Sequence, residues 1–104
     1  MLNWTEITRY LAGRRATETA VIDWARRALA LMPDPYGAIH ANVRSDARDR
    51  AKEVFTLRFA SAVPTSHRDL ARRYGVSPQR SAQLTQLAFD AWWQAVRAAY
   101  VATL

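Results

Sequence analysis

The sequence predicts an all-α fold, a compact bundle of about five helices whose last helix is long. Three observations carry this. Apolar residues recur at spacings of three and four, the signature of helices with one buried face. No stretch alternates apolar and polar residues as a half-buried strand would. The helix breakers, four Pro and three Gly in 104 residues, fall at a few junctions and leave long uninterrupted segments between them. A chain of this length forms one domain with one core, near the size at which every apolar face must be used.

The first helix lies in WTEITRYLAG, where Trp4, Ile7 and Leu11 share a face and Gly13 is the stop. Thr17 caps a second helix, in which Val21, Trp24, Ala25, Ala28 and Leu29 form a stripe running to about Met32. Pro33, Pro35 and Gly37 then break the chain, and residues 34–44 read as a loop with room for one helical turn near Ala38. Ser45 caps a third helix that ends near Ala60 and gives Val54, Phe55 and Phe59 to the core. The Pro64 to Ser66 corner opens a fourth, with Leu70 and Tyr74 on one stripe and Ala71 small enough for the next helix to cross against.

The junction that follows is the most constrained part of the chain. Gly75 can take the left-handed conformation that ends a helix without a Cβ penalty. Val76 plugs the turn, Ser77 is a strong N-cap, and Pro78 stands at the first helical position, where its missing N–H costs nothing. The last helix runs from Pro78 to about Ala102, about 37 Å at 1.5 Å per residue. Two helices that cross closely through a tight turn require this pattern, so residues 66–92 have the spacing of a helix-turn-helix. Leu84, Ala88 and Trp92 repeat every four residues toward the core, which leaves Gln79, Arg80, Gln83 and Gln86 on an outward face with no large apolar residue. Ser81 departs from the pattern, standing where such motifs place a branched apolar residue. Either the two helices pack more loosely there, or its hydroxyl bonds back to the Ser77 carbonyl.

The outward residues suit a recognition helix lying on double-stranded DNA. An amide pairs bidentately with adenine and arginine with guanine at major-groove edges, which makes Gln79, Arg80, Gln83 and Gln86 the candidate base contacts. The helix N-terminus at Ser77 offers a phosphate site. Arg68, Arg72 and Arg73 on the preceding helix are candidate phosphate contacts, which set register and affinity without reading sequence.

From about Arg48 to Trp93 the chain resembles region 4 of bacterial sigma factors and the sigma-like helix-turn-helix regulators. EVFTLRF (53–59) resembles the family's apolar helix ending in Leu-Arg-Phe. ARRYGVSPQRSAQLTQLAF (71–89) resembles its turn and recognition helix, including the Arg80, Gln83 and Leu84 positions. The resemblance implies an all-helical module of bacterial, phage or plasmid origin that binds promoter DNA and touches RNA polymerase. Carried over by position, Pro78, Gln79, Ala82 and Gln83 fall on the family's base and phosphate contacts. Only Gln83 keeps the typical residue; Pro78 and Ala82 replace arginines and Gln79 a glutamate. The other sigma regions are missing, which points to a regulator and away from a sigma factor.

Composition agrees with a polyanion partner. The net charge is +6 with a sequence pI near 10.8, and a basic surface attracts nucleic acid or anionic membrane. Arginine outnumbers lysine 14 to 1, which fits bidentate phosphate contacts and a GC-rich genome equally. With no cysteine there is no disulfide framework, thiol chemistry or zinc finger, and a reducing cytoplasm is the expected setting. Arg14 and Arg15 precede no apolar run of signal-peptide length, and no segment approaches the roughly 20 apolar residues of a membrane span. The expectation is a soluble, unexported protein without membrane contact.

The aromatics Trp4, Tyr10, Trp24, Trp92, Trp93 and Tyr100 are assigned to the core, since a small helical domain must bury its largest side chains. With Trp92 pointing inward, Trp93 is expected at the edge of that face, available to a second subunit or to polymerase. A homodimer is expected, because one recognition helix reads few base pairs and dimers address two half-sites. Residues 1–32 and 93–104 are the candidate interface, with 1–44 the dimerisation part and 45–104 the helix-turn-helix part.

Catalysis has little support. His40 and His67 are isolated, with no partner at metal-ligand spacing. Asp46, Asp49 and Glu53 lie among Arg50 and Lys52 as a solvated, salt-bridged face, and Asp23 with Arg27 and Asp69 with Arg72 and Arg73 repeat the pattern. No phosphate loop or nucleophile motif is present, and no cofactor is implied. The competing roles are a module that binds RNA polymerase or another protein, of the antiterminator or sigma-antagonist type, and a DNA-binding protein like a phage terminase small subunit.

Overall fold

The computed structural model describes residues 2–12, 15–29 and 45–104. These form five helices: α1 (Trp4–Tyr10), α2 (Arg15–Ala28), α3 (Ser45–Phe59), α4 (His67–Tyr74) and α5 (Pro78–Ala102). There is no strand among the described residues, and the all-α expectation holds. Gly13, Met32, His40 and the expected loop at 34–44 lie outside the described residues. Two helix starts differ from expectation. α2 begins at Arg15, so Thr17 lies inside it and does not cap it; Arg15 and Ala16 are both good helix formers. Ser45 is the first residue of α3 and not its cap.

α5 is the axis of the bundle, packed against α2, α3 and α4, while α1 lies on α3. The core is rich in aromatic rings from four helices. Phe55 of α3 meets Trp92 of α5 at 4.8 Å between centroids, and Phe59 meets Tyr10 of α1 edge-on at 4.9 Å. Trp24 of α2 packs on Tyr100 near the far end of α5 at 5.7 Å. Such offset and edge-on pairs add to the burial of each ring.

Trp93 is not at an edge: it is 1 % exposed and stacks on Phe89 at an interplanar angle of 7°. Adjacent residues on a helix point about 100° apart, and three neighbours around α5 make its buried arc wide enough for both tryptophans. Ser81, Thr85, Ala88, Phe89, Trp92 and Val96 run along that arc. Leu84, expected on it, is only half-buried at its margin.

Polar contacts fix the ends of the helices. Asn3 caps α1 by accepting from the Glu6 N–H at 3.1 Å, and it ties that end to the end of α3. Its own N–H donates to the Phe59 carbonyl at 2.6 Å and its side-chain amide to the Ser61 carbonyl at 2.9 Å. Beneath this clasp Arg58 donates to Glu6 at 2.7 Å and to the Thr65 carbonyl at 2.9 Å, which holds the corner leading into α4. No described helix is long and apolar enough to cross a membrane.

Candidate nucleic-acid interface

The local chemistry between α4 and α5 matches the sequence reading. Ser66 caps α4 by accepting from the Asp69 N–H at 3.1 Å, and α4 ends at Gly75, whose φ of 64° is left-handed. The Val76 N–H donates to the Ala71 carbonyl at 3.0 Å and closes the turn. Ser77 accepts from the Arg80 N–H at 3.0 Å, with Pro78 beginning α5. These contacts satisfy groups that helix ends otherwise leave orphaned.

Ser81 is fully buried, at 1 % exposure. Its hydroxyl does not bond back to Ser77; it has no hydrogen-bond partner among the described residues. Thr85, one turn on, makes that kind of bond instead, donating to the Ser81 carbonyl at 3.0 Å. α5 thus carries two buried hydroxyls along its inner face, and only one is satisfied.

On the opposite side Gln79, Arg80, Gln83 and Gln86 are all exposed. Two pairs form among them and their neighbours. Arg80 donates to Gln83 Oε1 at 3.1 Å, and Gln86 donates through its amide nitrogen to Asp90 at 2.9 Å. The outward face does include one large apolar residue, contrary to expectation. Leu87, one turn beyond Gln83, is 58 % exposed. The sequence pattern assigns Leu87 to neither face, and the buried arc centres on Thr85, Ala88 and Phe89.

The phosphate candidates divide. Ser77, Arg68 and Arg72 are exposed, and Arg72 has a loose partner in Asp69, 3.8 Å away. The Ser77 oxygen is occupied as a cap, but its hydroxyl hydrogen remains available to donate. Arg73 turns to α3, where its Nε donates to Glu53 at 2.6 Å. The same Glu53 oxygen accepts from the Tyr74 hydroxyl at 2.6 Å, and Arg50 stands over the Tyr74 ring at 5.9 Å. Glu53 thus forms a junction between α3 and α4.

This junction sets its own protonation. The bond from Arg73, and then that from Tyr74, holds the Glu53 carboxyl below the usual carboxylate range. Burial, and then the bond to Glu53, pushes Tyr74 up to about 12. Bonding to Glu53 raises Arg73, which stays charged. His67 at the start of α4 moves down from the usual histidine range, because burial and the nearby Arg58 charge disfavour its cation, with Glu6 opposing. Sequence reasoning missed the Glu6–Arg58 pair and the Glu53 junction. Their partners lie far apart in the chain, and no local spacing announces them.

Among the described residues no three metal-ligating side chains come together. No protein family, curated protein or solved structure matches the chain.

Proposed function

We propose that the protein is a sequence-specific DNA-binding transcriptional regulator that lays the first half of α5 in the major groove. One observation carries the reading. A left-handed Gly75 and a Ser77 cap launch α5 with Gln79, Arg80 and Gln83 exposed in its first two turns, and amide and guanidinium groups at a helix N-terminus are the chemistry that reads base edges. Arg68 and Arg72 hold the backbone. The terminal amino groups of Arg73 add a phosphate contact while its Nε stays on Glu53. The resemblance to sigma region 4 leads to the same reading, as does the net charge of +6. The regulator acts in the cytoplasm as a homodimer. Trp93, buried within its own bundle, takes no part in that interface; Val101 and Leu104, exposed at the end of α5, do.

Two substitutions test base reading. Gln83→Ala costs about 1–3 kcal/mol at the selected site with little change on random duplex, whereas Arg72→Ala weakens both and lowers the salt slope by about one. Equal loss on both DNAs for Gln83→Ala refutes direct reading. Leu87 favours a second reading, a module that docks RNA polymerase or another protein on this face, because an exposed leucine among polar residues suits a protein contact. Retention of partner binding by Gln83→Ala and its loss in Leu87→Ser would select that reading.

A further inference from the structure

The hydrogen bond from Arg80 to Gln83 Oε1 at 3.1 Å constrains how this face can meet a base. The two residues are one turn apart on the exposed side of α5, and the Ser77 cap on the Arg80 N–H fixes where that turn begins. A glutamine that reads adenine needs both halves of its amide, the oxygen for the adenine N6 amino group and the nitrogen for N7. In this structure the Gln83 oxygen is turned to Arg80. What Gln83 offers outward is its amide N–H donors, and what Arg80 offers is the rest of its five N–H groups. With one of the two lone pairs on that oxygen already taken by Arg80, the pair presents mostly donors.

Major-groove edges sort simply against such a surface. Guanine presents two acceptors, O6 and N7, and matches it. Adenine presents its N6 donor beside N7, and that donor meets another donor. Cytosine presents only a donor, and thymine a single acceptor. We propose that Arg80 and Gln83 act as one unit that reads guanine under Arg80 and an acceptor-bearing neighbour, guanine or thymine, under Gln83, with Gln83 also bracing the guanidinium. This rests on the DNA-reading role proposed above and reverses the adenine assignment that glutamine alone suggests.

The experiment is competition binding on the site selected from random duplexes, with each base of the half-site replaced in turn, for wild type, Arg80→Ala, Gln83→Ala and Gln83→Glu. For wild type, replacing the guanine under Arg80 by adenine weakens binding about tenfold to a hundredfold. Arg80→Ala removes that preference, and Gln83→Ala reduces it by loosening the brace. Gln83→Glu keeps an oxygen for Arg80 but has no N–H to donate, so the neighbouring preference moves to cytosine, whose amino group a carboxylate accepts. A change of preferred base is a readout that partial misfolding cannot produce. An adenine whose preference vanishes in Gln83→Ala overturns the inference and leaves DNA reading intact. Absence of any selected site overturns both.

Discussion

Arg58 donates to Glu6 at 2.7 Å across 52 residues of chain, and the two side chains are 11 % and 5 % exposed. Arg9 reaches the other Glu6 oxygen at 3.1 Å from the surface. The pair locks α1 onto the end of α3 and, through the Thr65 carbonyl, sets the entry of α4. Removing one partner leaves the other charge buried alone. Glu6→Ala is therefore expected to destabilise by about 3 kcal/mol, read as a lowered urea midpoint. The double variant Glu6→Leu/Arg58→Met recovers much of the loss, since it leaves no charge behind. An unchanged midpoint for Glu6→Ala would contradict the account.

Gly75 holds a φ of 64°, and a Cβ built there meets nothing within 4 Å. The whole penalty of Gly75→Ala is then backbone strain, about 1–2 kcal/mol, with Gly75→Asn costing less because asparagine tolerates this region. Thermal melting checks the order glycine, asparagine, alanine. Equal stability of all three would show that the turn adopts another conformation.

Ser81 presents the opposite case, a buried hydroxyl with no partner among the described residues. Ser81→Ala removes an unsatisfied group for the loss of one small atom and should stabilise by roughly 1 kcal/mol. A loss of stability in urea would reveal a hydrogen bond to that hydroxyl.

Stability should fall on both sides of neutrality. Glu53 is held low, so its contribution is present above about pH 4.5 and is lost as pH falls through its folded value. His67 is also held low, but as a base: below its ordinary 6.5 the unfolded chain takes the proton first, and stability drops with acid. Tyr74 is held high, so between its ordinary 10 and about 12 the unfolded chain loses its proton first, and stability drops with alkali. Urea midpoints from pH 4 to 11 check the profile. His67→Gln should flatten it between about pH 7 and 5, and Tyr74→Phe above about 10; slopes unchanged in both variants would contradict these assignments.

What the sequence made legible was local chemistry. Gly75, Ser77 and Pro78 act on their own backbone within a few residues, so the turn and the start of α5 were readable, as was its end near Ala102. Trp93 and Leu84 depart from expectation because periodicity assumes one narrow buried stripe, whereas α5 is packed by three helices and buries a broad arc shifted from the one expected, with Leu87 outside it. Ser81 stands out in the sequence with two alternatives, looser packing or a bond back to Ser77; the second does not form, and Thr85 makes that kind of bond one turn later. Glu6 and Arg73 find their partners, Arg58 and Glu53, only in three dimensions, so no local spacing singles out Glu6, and Arg73 pairs in sequence with Asp69 instead.

Selection of the purified protein on a random duplex library, followed by salt titration on the winner, shows whether α5 reads a defined DNA sequence. A dimeric regulator selects a palindrome with half-sites about one helical turn apart, bound at least roughly a thousandfold tighter than random DNA. No enrichment, or only weak salt-sensitive binding to every sequence, would contradict it.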